Sequence, residues 1–570
     1  MSAQDNPTAM TYNLSSLSLP TLRGRTLRLF ATALQSRPLS NTLVGQLLKQ
    51  GGITDLRQKT FSDAPTFYPL ALEEADAWRN QMPLDWERLQ DQLLRRDNRE
   101  PFANAADYAR AYRAGTTTPE AVAEAAMAAI ADADDDPRPL RAFRAVDRDD
   151  VLRQARAATE RLRAGRPLSL LDGVPVAVKD EVDQVPYGTT VGTSFLGQTP
   201  ASEDATVVAR LRAAGALLLG KTNMHEIGIN PDGFNEHYGI IRNPYNLQCH
   251  AGGSSNGSAA AVAAGICPVA IGADGGGSIR IPAALTGLVG LKATFGRVSE
   301  KGAAPLTWSM GHLGPIGATV GDVALVYACI AGPDPADPNG LHQPPVSIDG
   351  WDLADLRGLR LGIYPPWFEH ADAEIVADCR AMLARLLEMG ATLHEIEIPE
   401  LDEMRVAQAL TILAEMAANM ALHEAHWDEL SPSTRVNLTL GRAATAGDYL
   451  QAQRVRTRAI GHFRRAFADC DLILSPATAV TAPLVPDNCE ADGWSDLNTV
   501  TELMRFAMPG NLTGLPAIAF PVGYDRRGLP TSMQAMARPW EEHLLLRVAY
   551  AAELVVARRR PTTFYDLLAR

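Results

Sequence analysis

From Asn104 onward the chain alternates apolar patterns of two periods. Residues 106–114 repeat at helical spacing. The run Thr116-Thr117-Thr118-Pro119-Glu120 is a helix start, with a hydroxyl cap, a proline in the first turn and an early carboxylate. The alanine-rich helix it opens ends at Ala131-Asp-Ala-Asp-Asp-Asp-Pro137. Another helix is expected over about 149–164. Residues 170–178 form an apolar run of strand length, interrupted by Gly173 and Pro175. Residues 207–219 read as a helix followed by a strand, closing on Gly220-Lys221-Thr222-Asn223. Helices and short β-branched runs then alternate to the C-terminus, which is an α/β signature. Upstream, residues 71–99 are acidic and helical in pattern, with Trp78, Leu84, Trp86, Leu89 and Leu93 recurring at helix-like spacing. A second helical stretch, 407–425, carries Leu410, Ile412, Leu413, Met416 and Met420. Residues 243–251 read as loop.

Composition narrows the class. The 570 residues are 46% hydrophobic and 21% charged, an ordinary globular balance that excludes collagen-like and disordered chains. Length alone suggests three or four domains at roughly 150 residues each. The formal charge is 53 − 66 = −13, which argues against a nucleic-acid partner. The first 60 residues run the other way: Arg23, Arg25, Arg28, Arg37, Lys49, Arg57 and Lys59 stand against Asp5 and Asp55. Such a segment either touches an anionic surface, as a transit peptide or amphipathic arm, or packs on the acidic body of its own chain; the second reading is preferred. The six cysteines have no CxxC spacing and read as buried thiols of a reducing compartment. No secretory leader is recognisable, and the most apolar stretch, 259–273, is broken by Gly265 and Pro268. The expectation is a cytoplasmic protein with no membrane span.

Candidate chemistry concentrates between residues 252 and 280. Gly252-Gly253-Ser254-Ser255-Asn256-Gly257-Ser258 runs into Ala259–Ala264, so a flexible turn opens a helix and exposes N–H groups. After Val269-Ala270-Ile271 comes Gly272-Ala273-Asp274-Gly275-Gly276-Gly277-Ser278-Ile279-Arg280. Three consecutive glycines let several N–H groups converge, and the hydroxyl that follows is placed as a nucleophile beside an oxyanion hole. Lys179 closes an apolar run, where burial disfavours the ammonium form and fits a lysine to act as a base. Gly253-Ser254-Ser255-Asn256-Gly257 formally matches GxSxG, but that elbow should follow a strand directly. No phosphate-loop motif is present, and His423 and His426 are spaced by three, unlike HExxH. Neither a metal nor a cofactor is expected.

Lys179, the Gly252–Ser255 loop and Gly276-Gly277-Ser278-Ile279-Arg280 together resemble the amidase signature family. The spacings are 254 − 179 = 75 and 278 − 254 = 24. The likeness begins near Pro101 and covers about 470 residues. It takes in Leu171-Asp-Gly-Val-Pro-Val-Ala-Val-Lys-Asp180, Gly220-Lys-Thr-Asn-Met224, Arg242-Asn-Pro-Tyr245 and Gly290-Leu-Lys-Ala-Thr294. It continues through His312-Leu-Gly-Pro315, Asn511-Leu-Thr-Gly-Leu-Pro516 and Gly528-Leu-Pro530. The resemblance implies Ser278 as acyl-accepting nucleophile, Ser254 as a bridging serine after a cis peptide bond, and Lys179 as a base that is neutral at rest. It implies an oxyanion hole from the N–H groups of Gly275, Gly276, Gly277 and Ser278. Asp274, Arg280 and Ser255 would hold the two serine loops from behind.

Two positions depart from the family pattern. Asn256 stands where glycine is frequent, and Gly311, in Ser309-Met-Gly-His312, stands where aspartate is frequent.

The implied fold is one large α/β domain over 101–570, a mixed sheet between helical layers, with a mainly helical extension over 1–100. The implied activity is hydrolysis of a carboxylic amide, with ester or carbamate cleavage by the same acyl-enzyme. An acyl transferase or a component of a glutamine-dependent amidotransferase is the alternative. A catalytically silent binding protein would not need the intact trio. Met224, Trp308 and Met416 are candidate pocket residues, suited to a small-molecule amide with an apolar acyl or amine group, and a homodimer is possible.

Overall fold

The structure, a computed structural model, describes residues 12–14, 21–36, 39–70 and 82–569. Its centre is an 11-stranded sheet. Across the sheet the strands run Thr392–Glu395, Arg360–Ile363, Leu472–Pro476, Pro530–Ala537, Ala517–Tyr524, Val289–Lys292, Leu313–Gly317, Val269–Ala273, Pro175–Lys179, Leu217–Thr222 and Phe143–Ala145. Three neighbouring strands, Val269–Ala273, Pro175–Lys179 and Leu217–Thr222, are parallel. Antiparallel pairing from Leu313–Gly317 to Leu472–Pro476 makes the sheet mixed. Strands buried on both faces read as continuous apolar runs without alternation. That is why 170–178 and 217–219 stood out, and Val176, Ala177, Val178 and Leu217 to Leu219 all lie in the main core.

Local signals became the expected elements. Thr118 caps the helix Pro119–Asp134 by accepting from the Ala121 N–H, with Pro119 in its first turn. Helices Ala105–Ala114, Arg148–Arg163 and Thr206–Ala213 fall where the 3.6-residue period put them. The stretch 243–251 differs from the loop expected: Asn246–His250 is a strand, paired antiparallel with Arg242–Asn243. Asn246-Leu-Gln-Cys-His250 does alternate polar and apolar residues over five positions, a strand pattern that the loop expectation passed over. The helical stretch 407–425 is the end of a longer helix, Leu401–Met420, followed by tighter turns over Ala421–Glu429.

The extension lies on the body. Helices Gly24–Ala33, Leu39–Gln50, Ile53–Gln58 and Trp86–Arg95 make up its described part. Leu22–Arg23 pairs antiparallel with Trp494–Ser495. Arg57 meets Asp448 at 2.7 Å, Lys59 meets Glu403, and Asp63 meets Arg458 at 3.1 Å. Two of these pairs set an arm cation on a body carboxylate, and the third, Asp63 with Arg458, runs the other way. Arg37 and Trp78 lie outside them. Leu89 and Leu93 are buried in the same core as the central strands, so packing is continuous across residue 100. The cysteines form no disulfide. Among the described residues no helix is long and apolar enough to cross a membrane.

Candidate active site

The three implied catalytic residues come from different elements and meet beyond the C-terminal ends of two adjacent parallel strands. Crevices at such strand ends are the usual ligand sites of α/β sheets. Lys179 is the last residue of Pro175–Lys179. Ser254 sits between Asn246–His250 and the helix Asn256–Ala263, after a cis peptide bond from Gly253. A Cβ on Gly253 would stand 2.6 Å from the Asp232 carbonyl oxygen, so only glycine fits the loop there. Ser278 lies between Val269–Ala273 and the helix Arg280–Leu285.

Lys179 is 1% exposed and directs its Nζ at the Ser254 Oγ, 2.9 Å away, and at the Ala273 carbonyl, 3.3 Å away. Its surroundings are not the apolar pocket the sequence suggested. The Glu181 Oε2 stands 2.7 Å from the same Nζ. Ser278 is 9% exposed and faces the cavity. Among the described residues its hydroxyl has no hydrogen-bond partner, so the structure forms the Lys179–Ser254 link and leaves the Ser278 hydroxyl open.

The glycine loop divides its N–H groups between support and site. Gly277, at φ +122°, donates to the Asp274 Oδ1 at 2.6 Å. Its N–H is therefore committed, while those of Gly275, Gly276 and Ser278 have no partner among the described residues. Asp274 also accepts from Ile279, Arg280 and the Asn511 amide. Burial opposes ionisation of Asp274, but the Arg280 guanidinium, Lys292 and the Asn511 amide together outweigh it and hold the carboxyl well below the usual carboxylate range. Arg280 continues to Gln534 and Asn511, which ties the loop to the far half of the sheet. Ser255 bridges the two serine loops, donating to the Ala273 carbonyl and accepting from its N–H, both at 3.1 Å. Among the described residues that hydroxyl bonds the Ala273 backbone and no histidine, which leaves the formal GxSxG match a supporting role.

A cavity of about 240 Å³ opens over Ser278 and Lys179. One side is apolar, with Leu306, Trp308, Ile412 and Met416. Trp308 is 38% exposed at its rim. Met224 is fully buried and packs with Met416 in the apolar cluster behind this wall, off the cavity surface. The other side carries Glu181, Glu300 and Asp337. Burial, then the charges of Asp337, Glu181 and Glu415, push the Glu300 carboxyl well above its usual range. A Cβ at Gly311 would lie 2.5 Å from the Glu300 Oε1. The carboxylate the family often has at that position is thus replaced by one reaching in from a neighbouring turn.

The wall loop 307–309 is itself clamped. Glu415 accepts from the Thr307 hydroxyl at 2.7 Å, the Ser309 N–H at 3.1 Å, the Tyr449 hydroxyl at 2.9 Å and the Ser309 hydroxyl. Arg456 donates to the Ser309 Oγ at 3.0 Å and to the Phe67 carbonyl of the extension. Sequence reasoning missed Glu181, Glu300, Glu415 and Arg456. Glu181 alone had a local signal, being two residues from Lys179. His423 and His426 lie at the surface, where His426 stacks on Phe195 at 4.6 Å and pairs with Glu429.

The family described as Amidase matches residues 121–546. The fatty acid amide hydrolase of Arabidopsis thaliana is 36% identical over 589 aligned positions, which cover 98% of this chain and 96% of that protein. One component of the glutamyl-tRNA(Gln) amidotransferase of Symbiobacterium thermophilum is 35% identical, over 79% of this chain and 96% of that protein. Among solved structures, a peptide amidase in complex with the competitive inhibitor chymostatin superposes with a TM-score of 0.71. It is 30% identical and covers 80% of this chain and 99% of its own.

Proposed function

The chain belongs to the amidase family and is an amidohydrolase, and from that premise we propose that it hydrolyses amides of long-chain carboxylic acids through an acyl-enzyme on Ser278. The observation that carries the reading is the Lys179–Ser254 hydrogen bond at 2.9 Å beside an open serine hydroxyl and three unpaired N–H groups. A serine hydroxyl is a weak nucleophile until a base removes its proton. Ser278 attacks the amide carbonyl as its proton passes to Ser254, whose own proton goes to Lys179. The N–H groups of Gly275, Gly276 and Ser278 receive the developing oxyanion. The same path returns a proton to the leaving nitrogen, the amine departs, and water releases the acid from Ser278. Lys179 does the work given to histidine in Ser-His-Asp enzymes.

The acyl class rests on the apolar wall of Leu306, Trp308, Ile412 and Met416, and on the relative named for fatty acid amides. That hydrolase aligns through the extension as well as the body, whereas the amidotransferase relative matches over 79% of the chain, which favours hydrolysis by the isolated protein. The test is a series of amides that share one amine and differ in acyl length. Each buried methylene contributes about 0.8 kcal/mol, so kcat/KM should rise about fourfold per methylene until the apolar wall is covered. A flat series contradicts the long-chain assignment.

A further inference from the structure

Glu181 is the group around Lys179 that the catalytic scheme does not use. Its carboxylate stands 2.7 Å from the Lys179 Nζ, with the two side chains 13% and 1% exposed. Among the described residues neither has another ion-pair partner. Asp180, between them, is engaged elsewhere by Arg144 and Lys221. The position of Glu181 is fixed by the cavity wall, because its carbonyl accepts from the Ala304 N–H at 2.8 Å and Val182 bridges Ala303. Three groups thus meet at one nitrogen: the bridging serine, a backbone carbonyl and a carboxylate. The Nζ is thereby held by both Glu181 and Ser254.

We propose that Glu181 is a positioning residue of the amide hydrolysis, holding the Lys179 Nζ against Ser254 so that it can accept the proton from Ser254. The inference rests on the Ser278–Ser254–Lys179 reading. The step balances simply. Lys179 begins as the amine, takes one proton from Ser254, and the resulting ammonium is paired with the Glu181 carboxylate until the proton passes to the leaving nitrogen. The other charged and titratable groups facing this cavity are Asp274, Glu300, Lys301, His312 and Asp337. Asp274 is already committed to Arg280, and Glu181 alone lies within ion-pair distance of Lys179.

The test is kcat and KM, measured separately, for Glu181→Gln and Glu181→Asp, alongside Ser278→Ala. Glu181→Gln should lower kcat about ten- to hundredfold with KM little changed, the scale of a weakened general base. Glu181→Asp should recover part of that loss. The labelling rate of Ser278 by a fluorophosphonate probe should fall by the same factor as kcat, and reads the effect even where turnover is too slow to measure. A kcat and labelling rate that stay at the parent values in Glu181→Gln, or an effect on KM alone, overturns the proposal. If Ser278→Ala keeps turnover, the acyl-enzyme reading itself fails; if it is inactive and the Gln variant keeps the parent kcat, only the role of Glu181 does.

Discussion

Two loops border Ser278, and they are held by different parts of the molecule. The glycine loop, 274–278, hangs on a buried ion pair inside the family body. Asp274 and Arg280 meet at 3.0 Å, both fully buried, and Asn511 and Gln534 complete the set. The wall loop, 307–309, hangs on Glu415, which is bound to Tyr449 and backed by Arg456. Arg456 also holds the Phe67 carbonyl of the N-terminal extension. The glycine loop therefore depends on residues within the body, while the wall loop is tied through Arg456 to the extension as well. The extension, which the family motifs left unexplained, acts in this account on how substrate is received rather than on how the bond is broken.

The sharpest test of the difference is at the nucleophile. Ser278→Ala should lower kcat by up to about a millionfold, the scale seen when a serine hydrolase loses its nucleophile. Circular dichroism should report an unchanged fold. Lys179→Ala should lose about 10²–10⁴-fold, with residual activity rising at high pH as hydroxide substitutes for the base. Behind the glycine loop, Arg280→Met leaves the Asp274 carboxylate buried and unpaired, which should cost about 3–5 kcal/mol in urea unfolding. The sign with pH follows. The Asp274 carboxyl is held below its unfolded value, so its contribution is intact above about pH 4 and fades as pH falls below that. The gap between parent and variant should therefore shrink toward pH 2–3.

Changes on the wall side should be smaller and of another kind. Arg456→Lys removes a fixed two-way donor from Ser309 and Phe67 and should raise KM for long-chain amides about fivefold, the worth of one hydrogen bond, with kcat nearly unchanged. An equal fall of kcat for short and long substrates would break the division between the two loops. Smallest is the arm's ion pair. Arg57 is 39% exposed beside Asp448, so Arg57→Ala should shift stability by less than about 1 kcal/mol and leave both kinetic constants alone.

This division also explains what could be read from the chain. Lys179, Ser254 and Ser278 could be singled out because the glycine–serine loops and the lysine resemble a family pattern, and the structure brings Lys179 and Ser254 within 2.9 Å. The parallel strands were legible because burial on both faces leaves an unbroken apolar run. The clamps were not. Glu415 and Arg456 lie on long helices and look like ordinary helical charges; only folding brings them to residues over 100 positions away. Glu300 could not be matched to Gly311, because the two meet by filling the same space across a turn. The glycine triplet pointed to an oxyanion loop, yet which N–H groups stay free depends on Asp274 claiming Gly277, a contact no spacing announces. The basic arm was placed by charge balance, but its pairing with Trp494–Ser495 lies hundreds of residues from its own sequence signal.

The central claim is that Ser278 carries the acyl group between two half-reactions. Intact-protein mass spectrometry after an acid quench, with a long-chain amide present in excess, tests it most directly. The expected result is a mass increase equal to the acyl group minus one hydrogen, mapped by peptide digestion to Ser278 and absent from Ser278→Ala. Turnover with no adduct at any quench time, or an adduct on another residue, would contradict it.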